Sequence, residues 1–351
     1  MAIHRLGKHG LLRHFFTRND TTMKILLVKT SSLGDVIHNL PVVNDILQHA
    51  PQAHNDWQID WIVEESFADI PRLHTGVSHV FTLAFRRWRK QLFIKKTWQE
   101  IAAFKQLIQQ NQYDAIIDTQ GLLKSALAMR YARGTKHGYD KQSIREPLAS
   151  YFYDKTYAIS YQQHAVMRNR ALCALSLGYA IPTDAPDYGM PTDRMDIHLH
   201  TSDLQADYMI ALHGTSRDSK LWPVQHWVAL GKQLALQNLN MVLPWASEAE
   251  FSRANDIANQ LQNAIVLPRL SISELAGVIA NAKAAVGVDT GLSHFAAALN
   301  IPTVAIYTDT NPELTGVMAG KFAPAINLGN IGEIPTVNSI LESLHWIILE
   351  K

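Results

Sequence analysis

Four short turns in this chain carry side chains able to do chemistry, and each follows an apolar run that reads as a buried strand. Asp289-Thr290-Gly291 lies between AAVGV and LSHFAAAL. Leu292, Phe295, Ala296 and Leu299 recur at helical spacing, and Asn300 with Pro302 ends that helix. The first N–H groups of such a helix have no partner within it, the dipole presents positive charge, and Gly291 lets a ligand approach the backbone. The turn therefore suits a phosphate or pyrophosphate. The plainer alternative is that Asp289 or Thr290 only caps the helix.

Asp35 follows the small-residue loop Thr30, Ser31, Ser32 and Gly34 at the end of strand KILLVK. A carboxylate at a strand's carboxyl end can take a proton from an acceptor hydroxyl. It can equally cap the next helix. Strand MIALH runs into GTSRDSKLWP, where Thr215, Ser216 and Lys220 offer two hydroxyls and an ammonium. These groups suit a departing diphosphate, though a polar surface loop would have the same composition. One strand later, LPWASEAEF supplies Glu248 and Glu250. They can accept from ribose hydroxyls or simply make the first helical turn acidic.

The block RRWRK (Arg86, Arg87, Trp88, Arg89, Lys90), followed by Lys95 and Lys96, is dense in cations. Arginine forks suit carboxylates and phosphates. A nucleic-acid patch or a solvated loop are the alternatives. No aromatic-interleaved platform or binding motif accompanies the block, which argues against nucleic acid. Lys124, Arg145 and Arg168 add basic groups in segments able to converge on the same cleft.

Residues 1–180 hold 23 Lys+Arg against 14 Asp+Glu, a net of +9, while the remainder holds 9 against 17, a net of −8. The N-terminal half is thus built to meet something acidic. Length and an apolar content of 47% favour two domains with substantial cores. The single cysteine, Cys173, reads as a buried, inert thiol in an apolar helix, so no internal disulfide forms, in keeping with a reducing cytoplasm. No G-x-G-x-x-G or Walker A motif is present, nor an H-E-x-x-H among the 16 histidines. No apolar run approaches the ~18 residues that span a bilayer.

These turns need elements to hold them. From Met23 strands are expected at 24–29, 59–63, 80–84 and 115–118, with helices at 97–110, 122–131 and 164–177; Pro41 makes the segment 36–47 irregular at its first turn. The proline-rich stretch after Gly178 is the linker. A second alternation places strands at 209–213, 241–243, 265–267, 284–288 and 303–307, with helices at 225–237, 248–262, 273–282 and 337–350. The expected organisation is an α/β fold of two doubly wound parallel sheets facing across a cleft. Its parts are a dispensable extension 1–22, a first domain 23–180, a linker 181–195, a second domain 196–335, and a C-terminal helix 336–351 returning to the first domain. The extension is too polar for a secretory signal. It is either a short basic helix with Leu11, Leu12, Phe15 and Phe16 on its apolar side, or a segment upstream of a true start at Met23.

Taken together, KTSSLGDVIHNLP, RRWRK, YDAIIDTQGLLKSA, REPLAS, QHAV, TSRDSKLWP and VDTGLSHFAAAL resemble the motifs of the ADP-heptose:lipopolysaccharide heptosyltransferases, glycosyltransferase family 9, most closely its heptosyltransferase I group. The resemblance runs from Met23 to the C-terminal helix. It implies a GT-B fold of two Rossmann-like domains, acceptor on the first and nucleotide-sugar on the second, and inverting transfer with no cofactor or essential metal. Group I members move L-glycero-D-manno-heptose from ADP-heptose to Kdo of Kdo2-lipid A, in the cytoplasm at the inner face of the inner membrane. The implied partners are therefore ADP-heptose, Kdo2-lipid A and an anionic membrane surface, without nucleic acid.

Carried over by position, Asp35 is the base, and Ser31, Ser32 and Gly34 line the acceptor side; the basic residues Arg86, Arg89, Lys90, Arg145 and Arg168 are expected to bind the acceptor's anionic groups. Thr215, Ser216 and Lys220 meet the diphosphate and sugar, with Lys220 also aiding catalysis. Asp289 holds the heptose, and Thr290, Gly291 and His294 face the diphosphate. Glu250 contacts ribose, with Glu248 as a competitor, and Leu270 supports adenine. WASE lacks the glycine usual after that tryptophan, and Ser216 and Ser219 stand where relatives often have threonine and aspartate. A sister transferase acting on an already heptosylated core, a GT-B nucleotide-sugar epimerase and a non-catalytic lipopolysaccharide-binding module are the other readings.

Overall fold

A computed structural model describes residues 23–50, 57–190, 204 and 206–349. The extension 1–22 and the last part of the expected linker lie outside them. In the first half, the strands are β1 (Lys24–Val28), β2 (Gln58–Glu64), β3 (His79–Leu83), β4 (Gln112–Asp118), β5 (Arg133–Tyr139) and β6 (Lys155–Tyr157). The helices are α1 (Leu33–Ile37), α2 (Leu40–Gln48), α3 (Asp69–Arg72), α4 (Phe85–Trp88), α5 (Lys95–Ile108), α6 (Leu123–Met129) and α7 (Ala165–Leu177).

The second half has β7 (Tyr208–Leu212), α8 (Val224–Ala235), β8 (Asn240–Leu243), α9 (Glu248–Ala258), β9 (Ala264–Val266) and α10 (Ile272–Ala280). It continues with β10 (Ala284–Val288), α11 (Gly291–Ala298), β11 (Thr303–Ile306), β12 (Ala325–Leu328) and α12 (Val337–Leu349). Gly178, in the left-handed region at φ 81°, ends α7 where the sequence places the start of the linker.

Both sheets are parallel, with orders β3-β2-β1-β4-β5-β6 and β12-β11-β10-β7-β8-β9. The winding direction reverses between β1 and β4 in the first and between β7 and β10 in the second. Ligands of doubly wound sheets bind beyond the strand ends at such a reversal. The loops after β1, β7 and β10 are those carrying Asp35, Lys220 and Asp289, so the chemistry singled out in sequence lies at the two reversal points.

Parallel strands are covered on both faces. Ile25 and Leu27 of β1 enter one core while Leu26 and Val28 enter another. The first of these cores is shared: it joins residues of α1, α2 and α7 to Leu275, Ala276, Phe295 and Ala296 of α10 and α11. Pro41 occupies the first turn of α2, after a break at His38 and Asn39 that separates it from α1. Helix α12 does not return to the first half as expected. Its buried Ile340, Leu344 and Ile347 join the core of the second sheet, against α8 and β11.

Candidate active site

Asp35 is the third residue of α1, and Ser32 is its N-cap. The Ser32 N–H and hydroxyl both donate to Asp35 Oδ2, at 2.7 and 3.1 Å. Oδ1 has no partner among the described residues. The two readings open in the sequence are thus compatible. One oxygen orients the carboxylate through the cap, and the other stays available for a proton.

The loop before it is tied to the neighbouring strand's loop. Gln120 Oε1 accepts from the N–H groups of Thr30 and Ser31 at 2.9 and 3.0 Å. Lys124 Nζ donates to the Ser31 hydroxyl at 2.5 Å. A cavity of about 130 Å³ opens beside Asp35, lined by Lys29, Tyr139, Arg145, Arg168 and, from the second half, Thr315. Whole-ligand pockets are roughly 300–1,000 Å³, so this one takes a polar group of a larger molecule.

Arg168 enters that cavity braced. Its guanidinium lies 4.7 Å from the Tyr139 ring and 4.3 Å from the Tyr161 ring, and Nη2 donates to Ser143 O at 2.6 Å. Its Nε–H is buried without a partner among the described residues, a donor that an incoming carboxylate would satisfy. Arg145 lines the same space. Arg86 is engaged elsewhere: its N–H donates to Glu64, its guanidinium covers the Phe67 ring at 5.0 Å, and its charge acts on Lys124. Arg86, Arg89 and Lys90 are all exposed and lie outside the lining of the Asp35 cavity.

Lys29 was not anticipated as a site residue. It directly follows β1 and is buried, with Nζ donating to Thr119 O at 2.8 Å. Burial lowers its pKa against the raising influence of Asp35 and Asp118. A lysine closing the run KILLV was the available signal.

Across the cleft, Lys220 Nζ lies 2.6 Å from Asp289 Oδ2, both largely buried. The Thr215 hydroxyl donates to Asp289 O at 2.8 Å, so the β7 loop braces the β10 turn. Thr290 is the N-cap of α11 by position, yet its side chain makes no capping bond. The first amides of α11 therefore keep the free donors that an anion needs. Ser216 stands exposed at the rim.

Gly291 also has a packing reason. A Cβ there would meet Leu33 Cβ at 2.8 Å, so glycine lets α1 pack onto the start of α11. Gly34 does the same in reverse, facing His294 at 3.3 Å. His294 is buried, with Nδ1 committed to His38 Nε2 at 3.0 Å. Burial pushes its pKa down to about 4 despite Asp289 nearby. It sits behind the turn as a strut between the halves.

Glu250 Oε2 accepts from Ala246 and Ser247 N–H at 2.7 and 3.1 Å, closing a capping box on α9. Its Oε1 leans over Gly214, at 2.7 Å from where a Cβ would stand. Glu248 is exposed, so of the two acids Glu250 is the one at the β7 loop. Leu270 is half-buried at the edge of the shared core.

Residues 101–339 match the family Glycosyltransferase family 9 (heptosyltransferase). The chain is 46% identical over 295 residues to lipopolysaccharide heptosyltransferase 1 of Pseudomonas aeruginosa, covering 84% of this chain and 81% of that protein. Identity to the Escherichia coli K12 protein of the same name is 44% over 303 residues, covering 84% and 90%. Among solved structures, E. coli heptosyltransferase WaaC with ADP superposes with a TM-score of 0.82 at 41% identity, covering 92% of this chain and 99% of that one. The same enzyme with ADP-2-deoxy-2-fluoro heptose gives 0.79. A family match across residues 101–339 and relatives this similar over most of their length show that the chain belongs to glycosyltransferase family 9, the heptosyltransferases.

Proposed function

We propose that this protein is an inverting lipopolysaccharide heptosyltransferase that moves L-glycero-D-manno-heptose from ADP-heptose to Kdo of Kdo2-lipid A. The observation that carries the mechanism is Asp35 held by one oxygen, on a helix packed against the start of α11. The first half (23–180) takes the acceptor and the second (196–335) the donor.

ADP lies on the second half with its diphosphate at the open amides of α11 and beside Lys220. Thr215 and Ser216 lie on the same loop, Glu250 reaches the ribose, Leu270 supports adenine, and Asp289 holds the heptose. Asp35 Oδ1 removes the proton of a Kdo hydroxyl, and that oxygen attacks the anomeric carbon from the face opposite ADP. The bond from carbon to the β-phosphate oxygen breaks, and ADP leaves with the electron pair. The α11 amides and the Lys220 ammonium stabilise the charge it gains. Inversion follows from the single displacement.

On the acceptor side, the unpartnered Arg168 Nε–H, with Arg145 and buried Lys29, supports recognition of a Kdo carboxylate. Arg86 adds charge for the remaining anionic groups. The anionic character of the acceptor matches the net charge of +9 in the first 180 residues. No helix among the described residues is long and apolar enough to cross a membrane. A peripheral place at the cytoplasmic face of the inner membrane fits an acceptor embedded there.

The test is ADP release from ADP-heptose with Kdo2-lipid A, with a heptosylated acceptor, and with none. Release that depends on Kdo2-lipid A is expected. Preference for the heptosylated acceptor would point to the sister reaction. Donor turnover without any acceptor would point to an epimerase.

A further inference from the structure

The connection from α4 to α5, residues 91–98 (QLFIKKTW), presents apolar side chains to water. Phe93 is fully exposed, Leu92 and Ile94 are 48% and 47% exposed, and Trp98 on the next turn is 58% exposed. Scattered apolar surface residues need no explanation, whereas a contiguous cluster marks an interaction site.

This tip is held in shape. The Trp98 indole N–H donates to Leu92 O at 2.7 Å. Ile94 N–H donates to Gln91 O, and Thr97 N–H to Ile94 O, both at 3.0 Å, with Thr97 itself buried. At the base Arg87 bridges Glu65 and Glu100, and the buried Trp88 donates to Glu100 at 2.7 Å. Arg89, Lys90, Lys95 and Lys96 surround the tip, all exposed, and no acidic residue lies between Trp88 and Gln99.

The combination selects the partner. Nucleic acid would use the cations and leave Leu92, Phe93 and Ile94 in water. An apolar protein groove would leave the four cations without counter-charges. A bilayer with anionic headgroups satisfies both, hydrocarbon for the tip and headgroup phosphates for the cations around it. Stable peripheral anchoring also needs two signals, an apolar one and a basic one. We propose that residues 91–98 are a docking element that inserts Leu92, Phe93 and Ile94 into an anionic bilayer. Arg89, Lys90, Lys95 and Lys96 then lie on its headgroups. This assigns a role to Arg89 and Lys90, which stand apart from the Asp35 cavity. It deepens the acceptor reading above, on which its purpose rests, but its test needs no acceptor.

The full chain is sedimented with phosphatidylethanolamine vesicles containing phosphatidylglycerol and with neutral phosphatidylcholine vesicles. Wild type is expected to bind the anionic vesicles in preference. Phe93→Asp should weaken that binding by about tenfold or more, the factor one large apolar side chain supplies. The pair Lys95→Gln and Lys96→Gln should weaken it and flatten its salt dependence. Brominated lipid should quench wild-type tryptophan fluorescence more than that of Trp98→Phe. Turnover of Phe93→Asp on a soluble, deacylated acceptor should equal wild type. Wild type that ignores anionic vesicles, or Phe93→Asp that binds them as wild type does, overturns the proposal. So does an equal loss on the soluble acceptor, which would make the loop part of the acceptor site. Failure of the transferase reading would look different: no ADP release by wild type, with vesicle binding intact.

Discussion

His38 Nε2 and His294 Nδ1 lie 3.0 Å apart, a buried hydrogen bond joining the end of α1 to α11 across the two halves. His164 makes a second crossing: its Nδ1 accepts from Val166 N–H, so its Nε2 carries the proton donated to Gly316 O at 3.0 Å. Asp35 and the α11 start therefore keep their spacing through neutral imidazoles.

That neutrality predicts acid sensitivity. Burial lowers the pKa of His294, His74, His137 and His213 to about 4, and lowers those of His38 and His164. Unfolded histidines titrate near ~6.5. Between these values the unfolded chain binds more protons, so stability rises with pH. It is fully present above about 6.5 and is lost as pH falls through about 4. Asp118, whose pKa burial raises, has the opposite sign but is one group against six. Melts in a pH series should show the midpoint falling steadily on acidification below neutrality; a level midpoint would contradict this.

Truncating one member of the pair should also loosen the halves. His38→Ala leaves His294 Nδ1 buried and unpartnered, at a cost of about 1–3 kcal/mol. Denaturant titration measures it, and a change below a few tenths would mean that the bond contributes nothing.

Lys220→Met removes the ammonium while keeping the side chain's bulk. If Lys220 stabilises charge on the leaving diphosphate, kcat should fall by about 10²-fold or more. Steady-state kinetics with an ADP titration separates this from binding. A loss in affinity alone, with kcat unchanged, would make Lys220 a donor anchor and a brace for Asp289.

Glu250 has an observed capping role and a proposed ribose contact, which substitution can part. Glutamine still accepts from Ala246 and Ser247 N–H, so Glu250→Gln should leave stability within a few tenths of a kcal/mol. Glu250→Ala loses the capping box and about 0.5–2 kcal/mol. If the carboxylate also holds the ribose, KM for ADP-heptose rises in both. An unchanged KM in Glu250→Gln would remove the ribose role.

The turns were legible in sequence because each follows an apolar strand and precedes an amphipathic helix; β10 was placed to the residue at Ala284–Val288. Strand β5 is not legible in this way, since RGTKHGY has neither apolar alternation nor an apolar run. It is a strand because β4 and β6 pair with it, as tertiary context overrides propensity. The short β6 and β12, of three and four residues, are too brief for periodicity to report. The purpose of Gly291 and the His38–His294 bond arise between elements far apart in sequence, where no local pattern reports them. Arg89 and Lys90 read as acceptor ligands from the density of the basic block; the structure shows both exposed and next to the 91–98 loop.

The central claim is that Asp35 takes the acceptor's proton. Asparagine keeps an oxygen for the Ser32 N–H and removes only the charge and the proton affinity. Asp35→Asn should fold and bind ADP-heptose as wild type does. Its turnover with Kdo2-lipid A should fall by roughly 10²–10⁴-fold, about 3–5 kcal/mol in barrier. The measurement is kcat of Asp35→Asn beside a thermal melt and a donor titration on the same preparation. A folded, donor-binding variant that still turns over within a few-fold of wild type would contradict the account.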